Sequence, residues 1–214
     1  MDITPSFIGI TLGLTLGVRH AFEPDHLAAV SVLNADGPSP SQGLLLGAMW
    51  GLGHSLAIGG ASLLLASLSS EMPHQWAFGL EFGVAVMLAL MGGRALYTGL
   101  GLTGFPALSN VQPSRTRRQA LGVGLVHGLA GSGALTAFML GTIPTTAARV
   151  LFVLLFALGS TLSMSVISGG LGWPFAWLGE KQGALRWVRV GAGLTAVVCG
   201  MGWGWSLLAE FKQL

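Results

Sequence analysis

Charge is scarce in this sequence. Its 214 residues include ten Lys and Arg and eight Asp and Glu, 8% of the chain, where soluble domains carry roughly 25%. A soluble domain of this size needs a charged, wettable surface, and this chain cannot supply one. Most soluble enzymes are thereby excluded. A net charge of +2 is too small for a phosphate-binding footprint, so no nucleic-acid partner is expected. Cysteine is nearly missing as well. With Cys199 alone, one chain forms no disulfide framework, no CxxC pair and no thiolate metal cluster. No Lys or Arg precedes the first apolar stretch, so it lacks the basic start of a signal peptide and reads as a retained helix. The GxxxxGK[ST] and HExxH patterns are absent, which removes a nucleotide engine and a zinc protease of that type.

Apolar residues and glycine are abundant. The chain is 52% hydrophobic with 34 glycines and a mean hydropathy of +0.71. That glycine content is about twice the usual share. In a membrane bundle glycine lets backbones approach closely, and Gly9, Gly13 and Gly17 form a small-xxx-small ladder. The composition predicts an all-α integral membrane protein in a single transmembrane domain, residues 1–214. At about 20 residues per span the length allows six crossings. The apolar runs fall at about 6–33, 43–68, 76–101, 119–142, 147–171 and 187–209. They are too long, and too poor in alternation, for barrel strands. Basic residues set the direction. Arg115, Arg117 and Arg118 lie in the third connection, and Lys181, Arg186 and Arg189 in or beside the fifth. Both connections are then cytoplasmic, and both termini lie outside the inner (cytoplasmic) membrane.

The chain also repeats itself. Gly17-Val18-Arg19-His20-Ala21 is similar to Gly124-Leu125-Val126-His127-Gly128, offset by 107. Leu52-Gly53-His54-Ser55-Leu56 is similar to Leu158-Gly159-Ser160-Thr161-Leu162, offset by 106, and Gly92 falls opposite Gly200, offset by 108. Repeat one covers about 6–101 and repeat two about 119–209. Each half has three spans, an odd number, so the halves have opposite topology. Inverted repeats of this kind are common in transporters, with the site at the repeat interface.

The first span is interrupted by Arg19-His20-Ala21-Phe22-Glu23-Pro24-Asp25-His26. One Asp or Arg at the centre of a spanning helix costs roughly 2.5–3.5 kcal/mol on insertion scales. This cluster must face a polar interior and must pair or hold a ligand. In a straight helix His20, Asp25 and His26 point in different directions. Pro24 cannot donate to the carbonyl of His20 and opposes straight continuation. A break there swings Asp25 and His26 toward His20 and frees carbonyls as further ligands. His54 and His127 bring imidazole to similar depth on other spans. Imidazole with carboxylate suits first-row divalent metals.

Plainer readings apply to several residues. His127, among Gly and Ala, also reads as a helix–helix hydrogen-bond partner. His74 lies in a loop after Pro73. Arg19 reads as the counter-ion of Asp25 or Glu23. Glu81 and Arg94 snorkel or pair. Ser132, Ser160 and Ser163 read as pore lining or as glue between helices. Trp173, Trp177, Trp203 and Trp205 read as interfacial aromatics.

The segment from Arg19 to Leu27 resembles the HxxxxDH signature of the nickel/cobalt transporter family. Leu52-Gly53-His54-Ser55 is similar to that family's second signature, in the expected order. The resemblance implies a metal role for His20, Asp25, His26 and His54. It is direct over roughly the first 60 residues. The second half departs from the long members. Its segment His127-Gly128-Leu129-Ala130-Gly131-Ser132 is similar to the short urease-accessory nickel permeases, within the lysine-exporter superfamily.

The expectation is a secondary permease, not an enzyme, that takes up Ni2+ or Co2+ as its cargo and holds no permanent cofactor. The ion sheds water onto His20, Asp25, His26 and His54, with Glu23, His127, Ser132 and Ser160 as further ligands or pathway. Protons compete for the imidazoles, so binding weakens as pH falls. Pro24, Arg19, Gly128 and Gly131 are structural, and Gly128, Gly131 and Gly133 loosen the fourth span. Partners are the metal ion and the bilayer; a homo-oligomer and a downstream metal acceptor stay open. Two alternatives remain. One is a metal exporter or another solute transporter of the same superfamily, although the loop 102–118 has no His of the kind nickel exporters carry. The other is an HxxxxD acyltransferase, with His20 as base and Asp25 orienting it.

Overall fold

A computed structural model describes residues 4–36, 38–102, 113–179 and 182–212. Among them are seven helices and no strand: α1 (Thr4–His20), α2 (Pro24–Asn34), α3 (Pro40–Ser67), α4 (His74–Gly99), α5 (Pro113–Thr142), α6 (Thr146–Gly179) and α7 (Gln182–Phe211). The five from α3 to α7 are each long and apolar enough to cross a membrane. The protein is a multi-pass membrane protein.

The expected first span is two helices, of 17 and 11 residues. Neither alone reaches across a hydrocarbon core of about 30 Å. Pro24 causes the division. It stands in the first turn of α2, where a missing N–H costs nothing, and Glu23 before it is extended (φ −62°, ψ 145°). The break does not free the carbonyl of His20, as the sequence suggests. That oxygen accepts from the Glu23 N–H at 3.1 Å, and Arg19 O accepts from Phe22 N–H at 3.0 Å. A tight terminal turn replaces the lost helical bonds.

The other helices follow the apolar runs, with two differences. α5 begins at Pro113, before the expected boundary. α6 runs on through Pro174 to Gly179 and α7 starts at Gln182, so most of the expected fifth connection is helix. The run Trp173-Pro174-Phe175-Ala176-Trp177-Leu178 stays apolar, and proline is tolerated in such helices. Lys181 and residues 103–112 of the third connection lie outside the described residues.

α3 is the central helix and packs against both α5 and α6; α1 lies on α6 and α4 on α7. Small residues set these approaches. A Cβ at Gly124 would strike Trp50 O, and one at Gly128 would strike His54 O. α5 can therefore touch α3 only because those positions carry no side chain. Gly13 and Gly17 seat α1 on the backbone at Phe152 and Phe156 in the same way. Two apolar clusters result, one around Trp50, Val84, Leu88 and Met164, the other around Ile58, Met139, Phe152 and Phe156.

Arginines tie the ends together. Arg189 pairs with Asp36 at 3.2 Å, and Arg186 donates to Gly99 O at 2.9 Å and Leu100 O at 3.1 Å. Residues 36, 99–100 and 186–189 thus share one end of the bundle. Arg149 donates to Ile143 O at 2.8 Å and reaches Ala66 O, which gathers residues 66 and 143–149 at the other. Trp173, Trp177 and Trp205 are exposed, as expected of interfacial aromatics. Trp203 is not: it packs against the Trp50 cluster.

Candidate metal site

Four helices deliver histidines to one place between the two apolar clusters. His20 ends α1, and Asp25 and His26 lie in the first turn of α2. His54 comes from the middle of α3 and His127 from the middle of α5. His26, His54 and His127 are at most 2% exposed. The break at 21–23 does what a straight helix cannot. It turns α2 so that the His20 and His26 rings lie 4.5 Å apart, with His54 5.0 Å from each. His127 lies 4.3 Å from His26. Trp50, one turn before His54, lies tilted beside His26 and His127, and Phe156 beside His20.

The hydrogen bonds assign the ring protons. A carboxylate only accepts. His26 Nδ1 donates to Asp25 Oδ1 at 3.0 Å, and His127 Nε2 donates to Asp25 Oδ2 at 2.7 Å. In neutral rings His26 Nε2 and His127 Nδ1 then carry lone pairs. His20 Nδ1 lies 3.0 Å from Glu23 Oε2. The Nε2 atoms of His20 and His54 are hydrogen-bonded to each other at 2.9 Å, one ring donating and the other accepting. Three buried nitrogens, His26 Nε2, His54 Nδ1 and His127 Nδ1, have no hydrogen-bond partner among the described residues. Buried polar atoms without partners are costly and rare. Carboxylates that fix the tautomer of an imidazole are the usual support of metal-binding histidines.

Two ligand sets result, and they share His26. His20, His26 and His54 each offer an atom within 4.8 Å of the others, and so do Asp25, His26 and His127. Both sets line a cavity of about 120 Å³ with Glu23, Glu81, Ala130, Gly131, Ala134 and Trp203. That is room for several waters.

The structure brings His20, Glu23, Asp25, His26, His54 and His127 together. His127 is both a helix–helix partner, through Asp25, and a member of the cluster. Ser132 and Ser160 stay outside it. Ser132 Oγ donates to Leu129 O in its own helix, and Ser160 Oγ meets Ser55 and Ala157 O at the α3–α6 crossing. Ser160 acts as glue between α3 and α6, while the Ser132 hydroxyl is satisfied within α5, where a hydroxyl finds a carbonyl one turn back. Arg19 is exposed and forms no ion pair with Asp25 or Glu23 among the described residues; the histidines take its place. Gly128 presses on the His54 backbone, so it fixes α5 there and does not loosen it. His74 is exposed at the start of α4.

His20 and Asp25 make no direct hydrogen bond among the described residues. The base–orienter pair of an HxxxxD acyltransferase is therefore not assembled. Glu81 and Trp203, which the sequence reads as a snorkelling or paired acid and an interfacial aromatic, also line the cavity. The signal for Glu81 was its acid inside an apolar span with no basic residue one turn away.

The class is thus a multi-pass membrane protein with a buried histidine–carboxylate cluster at a broken span. Comparison with known proteins narrows it. Residues 7–97 match the family model "NicO: High-affinity nickel-transport protein". The chain is 31% identical over 184 residues to "Urease accessory protein UreH" of Bacillus sp. (strain TB-90), covering 80% of this chain and 79% of that one. No solved structure matches. The chain belongs to this nickel-transport protein family.

Proposed function

We propose that this family member is a secondary permease that takes up Ni2+ or Co2+ through the inner membrane, with both termini outside. The observation that carries the site assignment is the cluster of imidazoles buried around one cavity, in which His26 Nε2, His54 Nδ1 and His127 Nδ1 have no hydrogen-bond partner among the described residues. The ion binds first among His20, His26 and His54. Two nitrogens about 2.1 Å from one ion at a right angle stand about 3.0 Å apart, and His20 Nε2 and His54 Nε2 are at 2.9 Å. The ion takes the place of the proton between these rings, and that proton moves to the Nδ1 of the ring that carried it. Asp25 holds His26 and His127 in register and offsets cation charge.

The same reading includes six crossings in two inverted repeats, with α1 and α2 together forming the first crossing. Paired contacts support it. A Cβ at Gly92 would meet Gly193 O at 2.6 Å and Val197 N at 2.7 Å; one at Gly200 would meet Ala85 O at 2.5 Å and Ala89 N at 2.8 Å. The partners interchange when the numbering is shifted by 108. Gly53 meets Leu121 O and Leu125 N, and Gly159 meets Leu14 O and Val18 N, which interchange in the same manner. A two-fold axis between the halves produces such pairs.

The test is nickel and cobalt uptake by cells and by proteoliposomes, for wild type and for His20→Ala, His26→Ala and His54→Ala. Loss of uptake in all three is expected. Normal transport by all three would show that the ion passes elsewhere.

A further inference from the structure

The cavity extends beyond the histidines. Its wall includes Glu81 of α4 and Trp203 of α7 and contains no Lys or Arg. Glu81 lies seven residues into α4, about 10 Å along its axis. It is half-buried, and among the described residues it forms no ion pair. The charged or titratable neighbours in electrostatic reach are Glu210 and His74, an acid and an imidazole. A carboxylate in a spanning segment without a cation is costly, and such groups mark ion paths.

Position gives the direction of this path. α4 begins and α7 ends at the end of the bundle that holds residues 66 and 143–149. There Phe78 stacks on Phe211 at 4.5 Å, and a Cβ at Gly133 would lie 3.3 Å from Met72. Glu81 therefore stands between that end and the buried histidines. In the topology proposed above, this is the outer end.

We infer that Glu81 is a docking carboxylate for a hydrated divalent cation, a second subsite in the cavity from which the ion passes to His20, His26 and His54. The inference rests on the permease reading. Its second support is that His26 Nε2 and His54 Nδ1, deeply buried and unpartnered, line the same cavity. Glu81 acts at long range on a cation that keeps its water, and Glu23, half exposed at the break, lines the same route. Low-dielectric walls focus such a field and raise the local cation concentration.

The experiment compares nickel uptake by proteoliposomes carrying wild type, Glu81→Gln, Glu81→Asp and His54→Ala. Glu81→Gln is expected to raise KM about tenfold with little change in maximal rate, and to flatten the salt dependence of uptake. Glu81→Asp should restore most of the affinity, and His54→Ala should abolish transport. An unchanged KM in Glu81→Gln, or a loss of rate at constant KM, overturns the docking role while leaving the histidine site standing. Glu81→Cys in a Cys199→Ala background gives a readout independent of transport. A membrane-impermeant thiol reagent should label it, and nickel chloride should slow the labelling. Absence of labelling, or labelling unaffected by nickel, overturns the inference. If wild type carries neither nickel nor cobalt the permease reading fails, and protection by the ion still reports on Glu81 directly.

Discussion

Asp25 and His127 lie 102 residues apart in sequence and 2.7 Å apart in space. This contact joins the broken first span to α5, and the other oxygen of the same carboxylate holds His26. One side chain thus sets the protonated nitrogen of two buried rings. Asp25→Asn keeps the size but offers one acceptor and one donor. One ring must then give up its tautomer or its bond. Nickel affinity should fall about 10–100-fold, the usual effect of removing a group that supports metal ligands. Calorimetric titration of the purified protein with nickel checks this. Unchanged affinity would mean that Asp25 does not govern the rings.

Pro24→Ala tests the break itself. Alanine at 24 permits α1 to continue toward α2, and a continuous helix places residue 25 about 140° around the axis from residue 20. His26 and Asp25 would rotate away from His20. Nickel uptake should drop at least tenfold while membrane expression stays near wild type. Wild-type transport would show that the turn at 21–23 persists without proline.

Gly128→Ala tests the α3–α5 approach. The added Cβ meets the backbone at His54, which a side-chain rotation cannot relieve. Overpacking of this kind costs about 1–3 kcal/mol. The thermal midpoint in detergent should fall, and nickel affinity should fall with it because His54 and His127 are displaced together. Gly122→Ala, where a Cβ meets open space, serves as the control and should change neither.

Ser55→Ala should separate glue from site. Ser55 Oγ lies 3.2 Å from Ser160 and 3.0 Å from Thr161. Hydrogen bonds of this type between membrane helices average about 0.6 kcal/mol. A small loss of thermal stability with unchanged nickel affinity is expected. A large loss of affinity would place the serine cluster in the ion path.

Much of the site was legible before the fold. His20, Asp25, His26 and His54 stand out because ionisable groups are rare in apolar spans, and Pro24 announces the break. Ser132 and Ser160 carried the same kind of signal but stand outside the histidine cluster, Ser132 bonded within its own helix and Ser160 bridging α6 to α3. Arg19 failed as a counter-ion, since histidines take its place. Glu23 meets His20 three residues before it, and Asp25 meets its neighbour His26 and the distant His127, a partner that nothing in local spacing reveals. Glu81 was visible as a buried acid, but its direction was not.

Composition and periodicity by themselves determined the membrane class, the apolar helices and the depth at which polar chemistry gathers. These are local properties, set by the free energy of placing each residue in lipid. Tertiary structure decided which atoms meet. Only the packing of α3 on α5, across Gly124 and Gly128, brings His54 and His127 to the break in the first span. Only that meeting gathers the imidazoles and leaves three of their buried nitrogens without a partner among the described residues. The His127 tautomer depends on a partner 102 residues away, and such a contact has no local signature in a chain of this composition.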